Sequence, residues 1–156
     1  MIGNIKIIAV CMCKVYDERN YRIIRALNNF AVENDYRLFV YHTCSDLYWK
    51  TLSEKGEQSV FDLIDYNITD AVVTFEEGVY AENVMTKIRM DAAKYGKPVI
   101  SVGVEHDDCI SIKFDYAKGF EQVVRHVIEQ HGVRDIGFIA GRKDEENSEE
   151  RIAVFR

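Results

Sequence analysis

The chain has one proline, one tryptophan and four cysteines in 156 residues. A lone Pro98 excludes proline-rich linkers and stalks. Glycine is missing where a dinucleotide would need it, since none lies between Gly3 and Gly56. That excludes a Gly-x-Gly-x-x-Gly loop after the first strand, because backbone amides need those glycines to approach a pyrophosphate. Positive charge is also short. A net charge of −6 argues against a nucleic-acid binder, which needs a basic face to release counterions. It argues equally against a polybasic membrane patch. No run approaches the roughly 18 apolar residues of a membrane helix. The stretch from Met1 to Cys11 lacks the basic leader and cleavage site of a secretory signal. A cytoplasmic location without a membrane partner is therefore expected. Cys11, Cys13, Cys44 and Cys109 lack disulfide-scaffold or zinc spacing. No metal and no cofactor are expected.

What is present is an ordinary globular composition, 47% apolar and 29% charged. Strand-like and helix-like patterns alternate. Ile5–Met12 is a continuous apolar run, as in a strand buried on both faces. Asp17 is placed to cap a helix, and Ile23, Ile24, Leu27, Phe30 and Ala31 form its apolar stripe. Tyr36–Tyr41 reads as a second strand, and Ser45–Gln58 is ambiguous. Val60, Phe61 and Ile64 mark a short helix, and Ala71–Phe75 a third strand. Val84, Met85, Ile88, Ala92 and Tyr95 mark another helix, ended by Gly96 and Pro98. Val99–Val102 is a fourth strand and Cys109–Phe114 an edge strand. Phe120, Val123, Val124, Val127 and Ile128 define a long helix stopped by Gly132. Ile136–Ala140 is expected as a sixth strand. Asn147 and Glu150 have capping-box spacing for a last helix.

This alternation predicts an α/β fold, a doubly wound parallel sheet with right-handed crossovers. Ligands of such sheets bind beyond the carboxyl ends of the strands. Five loops matter on that rule: Cys13–Asn20, His42–Asp46, Glu76–Tyr80, Gly103–Asp108 and Gly141–Asn147. A phosphorylatable receiver domain is excluded, since the first strand ends in Cys11-Met12-Cys13 and the third in Thr74-Phe75, without the required carboxylates. Cys11 and Cys13 read as small fillers of a buried strand. His126 and His131, five apart, are not expected to share a helix face. Ser101 and Cys109 sit on no recognisable catalytic motif, so no enzymatic activity is expected of this chain. Glu76 and Glu77 stand as paired carboxylates for ligand hydroxyls or amines, or as a solvated loop.

The second half carries more specific motifs. Asp115-Tyr116-Ala117-Lys118-Gly119 leads to His126-Val127-Ile128 and His131-Gly132. Ile136-Gly137-Phe138-Ile139-Ala140-Gly141 follows, then Asn147-Ser148 and Arg151. Earlier, Asp70-Ala71-Val72-Val73 and Gly96-Lys97-Pro98-Val99-Ile100 fall in corresponding places. Together these resemble the lactose-repressor/periplasmic-binding-protein type of sensor domain. That resemblance implies a type I periplasmic-binding-protein-like fold, with sheet order 2-1-3-4-5 in its first lobe. The first lobe would span 1–133, and 134–156 would begin a truncated second lobe. Arg151 matches an arginine that reaches the ligand, Asn147 lies one turn earlier, and Asp115 matches an aspartate at the lobe junction. Tyr16, Asp17 and Tyr21 replace the family's usual segment after the first strand. With Glu76 and Glu77 they complete the candidate ligand contacts. Tyr116 and Val154 also depart from the family pattern.

The resemblance implies a small-molecule effector, a homodimer and no direct nucleic-acid contact by this chain. A sensor whose first strand begins at Ile5 resembles those fused ahead of a signalling output such as a diguanylate cyclase. The Gly56-Glu57 and Val60-Phe61-x-Leu63-Ile64 segments also resemble that branch. The alternatives are the effector domain of a lactose-repressor-type transcription regulator without its DNA-binding head, and a small α/β enzyme. With the second lobe unfinished, the tail after Gly141 is expected to be disordered or exchanged with another chain.

Overall fold

The computed structural model describes residues 5–48, 51–79, 81–141 and 146–156. Tyr80, Arg142 and the rest of 142–145 lie outside them. Eleven elements run in order: β1 Lys6–Cys13, α1 Glu18–Glu33, β2 Tyr36–Thr43, α2 Leu52–Gln58, a 3-10 segment Ser59–Leu63, β3 Ala71–Phe75, α3 Glu82–Lys94, β4 Val99–Val102, β5 Ile110–Ile112, α4 Tyr116–His131 and α5 Glu146–Phe155. They form two compact units, Met1–Lys113 and Phe114–Arg156.

The first unit holds a five-stranded sheet in the order β2-β1-β3-β4-β5, the order expected. All four pairings are parallel. β1 lies between β2 and β3, which explains its unbroken apolar run. Its Ala9, Cys11 and Cys13 face one layer, and Val10 and Met12 the other. Phe61 of the 3-10 segment joins Met85, Ile88 and Ala92 of α3 on the first face. Ile24 of α1 packs on the second face, beside Val10 and Met12. Asp70 sets the start of β3 by clamping β1. Its carboxylate accepts from the Ile7 N–H at 2.7 Å, and its own N–H donates to the Ile7 carbonyl at 2.8 Å.

The ambiguous stretch before the 3-10 segment folds as α2, started by a capping box. Thr51 accepts from the Glu54 N–H at 3.2 Å, and the Glu54 carboxylate accepts from the Thr51 N–H at 2.8 Å. The short helix expected from Val60 to Ile64 is a single 3-10 segment continuing from α2. Asp17 occupies the N-cap of α1, but its side chain makes no capping bond. Gly96 and Gly132 end their helices in the left-handed region, at φ 64° and 63°.

In the second unit the expected sixth strand does not form. Residues 132–141 adopt no regular structure, and Ile139 is 97% exposed. A strand exists only through hydrogen bonds to a neighbour, and an apolar run cannot supply its own partner. The described part of the tail is the helix α5. Phe138 stacks between Phe120 of α4 and Phe155 of α5, each ring pair 5.0 Å apart, and Ser148 is buried. Over Glu146–Phe155 the tail is helical, against the disorder that was one of the two outcomes expected of it. His126 and His131 do meet, with Nε2 atoms 3.1 Å apart. His131 is the last residue of α4.

Candidate functional site

The carboxyl end of the sheet is where chemistry-bearing side chains collect. β1 is followed by Lys14, a non-glycine residue at φ 45°. Such a backbone costs energy and persists only where neighbours hold it. The Lys14 N–H donates to the Thr43 carbonyl at 2.8 Å, and its ammonium pairs with Asp46. The hydrogen bond with Asp46 pushes the Lys14 pKa up. Asn20 of α1 donates to the carbonyls of Cys13 and Lys14 at 3.0 and 3.1 Å.

The loop after β2 is held from two sides. Tyr16 donates its hydroxyl to the Cys44 carbonyl at 2.7 Å. The Glu57 carboxylate of α2 accepts from the N–H groups of Cys44 and Ser45 at 2.6 and 3.0 Å. The loop after β3 crosses close by. Gly78 stands at φ 86°, and an added Cβ would come within 2.8 Å of Asp46 Oδ1. Glu77 pairs with Arg19 of α1 at 2.6 Å. Gly103, at φ 105°, lets the β4–β5 loop pass against the Glu77 side chain, where a Cβ would meet Cγ at 2.8 Å.

Below this rim lies a buried polar network. The Glu76 side chain is 6% exposed and that of Arg89 8% exposed. Glu76 Oε1 accepts from Thr74 Oγ1 at 3.1 Å, Ser101 Oγ at 3.0 Å and the Arg89 guanidinium at 3.3 Å. Glu76 Oε2 lies 2.9 Å from His106 Nε2. Arg89 also reaches Asp108 at 3.3 Å and Thr86 Oγ1 at 3.3 Å. A buried carboxylate of this kind is tolerated only because its lone pairs are filled and a cation faces it.

Among the sequence-derived candidates, Tyr16, Asp17, Tyr21 and Glu77 come together on the rim. Tyr16 and Tyr21 present exposed rings, 58% and 56% accessible. Glu76 is placed there too, but its carboxylate turns inward to four protein partners and does not face solvent. The other three belong to the second unit. Asp115 caps α4, accepting from the Lys118 N–H at 2.8 Å. Arg151 Nε donates to the Asn147 carbonyl at 2.9 Å, so these two adjoin on α5.

Arg89, His106, Lys14, Asp46 and Glu57 were not singled out by sequence. One signal was available for Arg89. It stands four after Met85 and three before Ala92, a charge on an otherwise apolar helix face, and such a residue needs a buried partner. Ser101 donates to Glu76 or to the Val104 carbonyl at 2.8 Å, with no histidine bonded to it among the described residues. Burial pushes the Cys11 thiol up to about 12, so it is not a thiolate nucleophile. Among the described residues no three His, Cys, Asp or Glu side chains gather as a metal site.

No family profile and no curated protein sequence matches this chain. Solved structures do. The lac repressor dimer bound to operator and the anti-inducer ONPF matches over 98% of this chain and 50% of that one, with TM-score 0.70 and 13% identity. A periplasmic binding protein/LacI transcriptional regulator of Alkaliphilus metalliredigens QYMF, complexed with D-xylulofuranose, matches over 96% and 50%, with TM-score 0.65 and 19% identity. A transporter solute-binding protein of Burkholderia multivorans, with an unknown ligand represented as α-D-erythrofuranose, matches over 98% and 56%, with TM-score 0.67 and 14% identity. This chain therefore has the α/β fold of lactose-repressor-type and periplasmic-binding-protein-like domains, and it spans about half their length.

Proposed function

We propose that this chain is the ligand-sensing part of a small-molecule-responsive regulator, comprising the first lobe, 1–133, and the start of a second, 134–156. The observation that carries this reading is the rim at the carboxyl end of a 2-1-3-4-5 parallel sheet. There Lys14, Tyr16, Asp17, Tyr21, Asp46 and Glu77 place donors, acceptors and aromatic rings side by side. Sheets of this kind bind ligands at that edge. Alternating polar groups beside exposed aromatic faces suit a small polyhydroxylated effector.

Tyr16, Asp17, Tyr21 and Glu77 are the proposed ligand contacts of the first unit; Asn147 and Arg151 are proposed separately as ligand contacts of the second. The planar donor fork of arginine suits a hydroxyl pair or a carboxylate. Asp115 is assigned the structural role of helix cap. Glu76 moves from ligand contact to rim support. Ligand binding would act by population shift, favouring one arrangement of a homodimer over another. The structural likenesses name repressors and solute-binding proteins rather than a cyclase. The output carried forward is accordingly transcription regulation rather than diguanylate cyclase signalling.

The test is a thermal-shift titration of the full-length product with ONPG, D-xylulose and a panel of free pentoses and hexoses. A saturable rise in melting temperature is expected for at least one sugar, as linkage requires. A flat response across the panel would count against a sugar-like effector. Loss of the shift in Tyr21→Ala and in Arg151→Met, with unliganded melting unchanged, would assign the contacts.

A further inference from the structure

We infer that the β4–β5 loop, residues 103–109, is a strap, and that His106 latches it by donating Nε2–H to the buried Glu76 carboxylate. The inference concerns the first unit alone and does not depend on the nature of any effector.

The latch follows from the polarity of the atoms. Glu76 Oε1 already takes bonds from Thr74, Ser101 and Arg89. Oε2 lies 2.9 Å from His106 Nε2, and an ionised carboxylate only accepts. His106 Nε2 is the donor the described residues offer Oε2, whereas Arg89 NH1 has Oε1 as an acceptor besides the ring, so the hydrogen is assigned to Nε2. The Arg89 NH1 atom, 3.0 Å from the same Nε2, then directs its hydrogens to Glu76 Oε1 rather than to the ring. His106 is thus a positioning residue acting through Glu76, in the tautomer with Nε2 protonated.

The strap has few other ties. Gly103 N–H donates to the Ile112 carbonyl at 2.9 Å, and His106 N–H to Ser111 Oγ at 3.0 Å. Ser101 Oγ lies 2.8 Å from the Val104 carbonyl, the alternative acceptor for the one hydrogen it can offer Glu76, and Asp108 reaches Arg89. Two of these ties pass through side chains bonded to Glu76. One carboxylate consequently holds the loop after β4 and, through its own backbone, the turn after β3. Glu76 N–H donates to the Val102 carbonyl at 3.0 Å, and Val79 N–H to the Glu76 carbonyl at 3.0 Å. Loss of the His106 bond leaves a buried carboxylate oxygen without its donor. The least costly relief is for the strap to lift and admit water.

The experiment compares the full chain with His106→Phe and His106→Gln by amide hydrogen exchange and imidazole nitrogen NMR. The phenylalanine variant should exchange about ten- to hundredfold faster at the amides of Gly103 and position 106, with β1 amides unchanged. Glutamine, which can offer an N–H to Glu76, should restore much of the protection. In the unaltered protein His106 should give the spectrum of an Nε2–H imidazole. An Nδ1–H tautomer there would overturn the inference without recourse to any variant. So would equal acceleration at β1, which signals general destabilisation, or unaltered exchange in His106→Phe.

Discussion

Burial, more than residue type, separates the four cysteines. Cys11 and Cys13 are buried on one face of β1, while Cys44 is exposed in the loop after β2. Burial holds the Cys11 thiol protonated until about pH 12, so raising the pH to 9.5 should not speed its reaction. Native protein treated with iodoacetamide should therefore label Cys44 first and Cys11 only on unfolding. Peptide mass spectrometry reads the order, and equal rates at Cys11 and Cys44 would contradict it. The same reasoning applies to the buried ion pair. Arg89→Met leaves the Glu76 carboxylate without its cation and should cost about 3–5 kcal/mol in urea unfolding. Adding Glu76→Gln should recover part of that loss, because the uncompensated charge is then removed. Additive losses in the double variant would show that the two side chains do not interact.

At the scale of elements, local signals decide where helices start and tertiary contacts decide which strands exist. α2 illustrates the first. Glu54 is buried, closes the capping box with Thr51 and also accepts from the Tyr48 N–H at 3.0 Å. Glu54→Ala should destabilise by about 1–3 kcal/mol, measured as a shift in denaturation midpoint at constant slope. A loss within a few tenths of a kcal/mol would mean that these bonds are replaced by water. The loop after β3 is constrained by backbone. Gly78→Ala meets both a positive φ and Asp46 Oδ1, and should cost more than about 1 kcal/mol. Asp46→Ala would relieve only the contact, so part of the cost should remain in the double variant. Ile136–Ala140 illustrates the second half of the rule. Its apolar run matches β1 in character, yet β1 is flanked by two strands and residues 136–140 pair with none.

At the scale of the molecule, the first unit carries the sheet and, among the described residues, all the buried apolar ones, whereas the second buries only Ser148. α4 has an apolar stripe but no buried residue. A stretch of that size without a core is not expected to fold alone. Residues 1–113 expressed separately should unfold cooperatively, and 114–156 should show no cooperative transition by circular dichroism. A sharp transition in the shorter piece would reverse that expectation.

The alternation of strands and helices was legible in the amino-acid sequence, and the order of strands along the sheet followed from the resemblance to the lactose-repressor/periplasmic-binding-protein type, whereas the sixth strand expected at Ile136–Ala140 does not form. The alternation rests on periodicity and on helix stops such as Gly96 and Gly132, which are local properties. Tyr16, Asp17, Tyr21 and Glu77 could be named as candidates because they follow strands. The pairing of Arg89 with Glu76 and His106 was not legible. These residues come from a helix, a strand end and a loop, 13 and 30 positions from Glu76 in the chain. Only tertiary structure decides which distant groups share one buried carboxylate, because desolvation and hydrogen-bond partners are set by the packed neighbours and not by sequence spacing. The same reason makes Glu76 a support and Glu77, its neighbour in sequence, a residue of the rim.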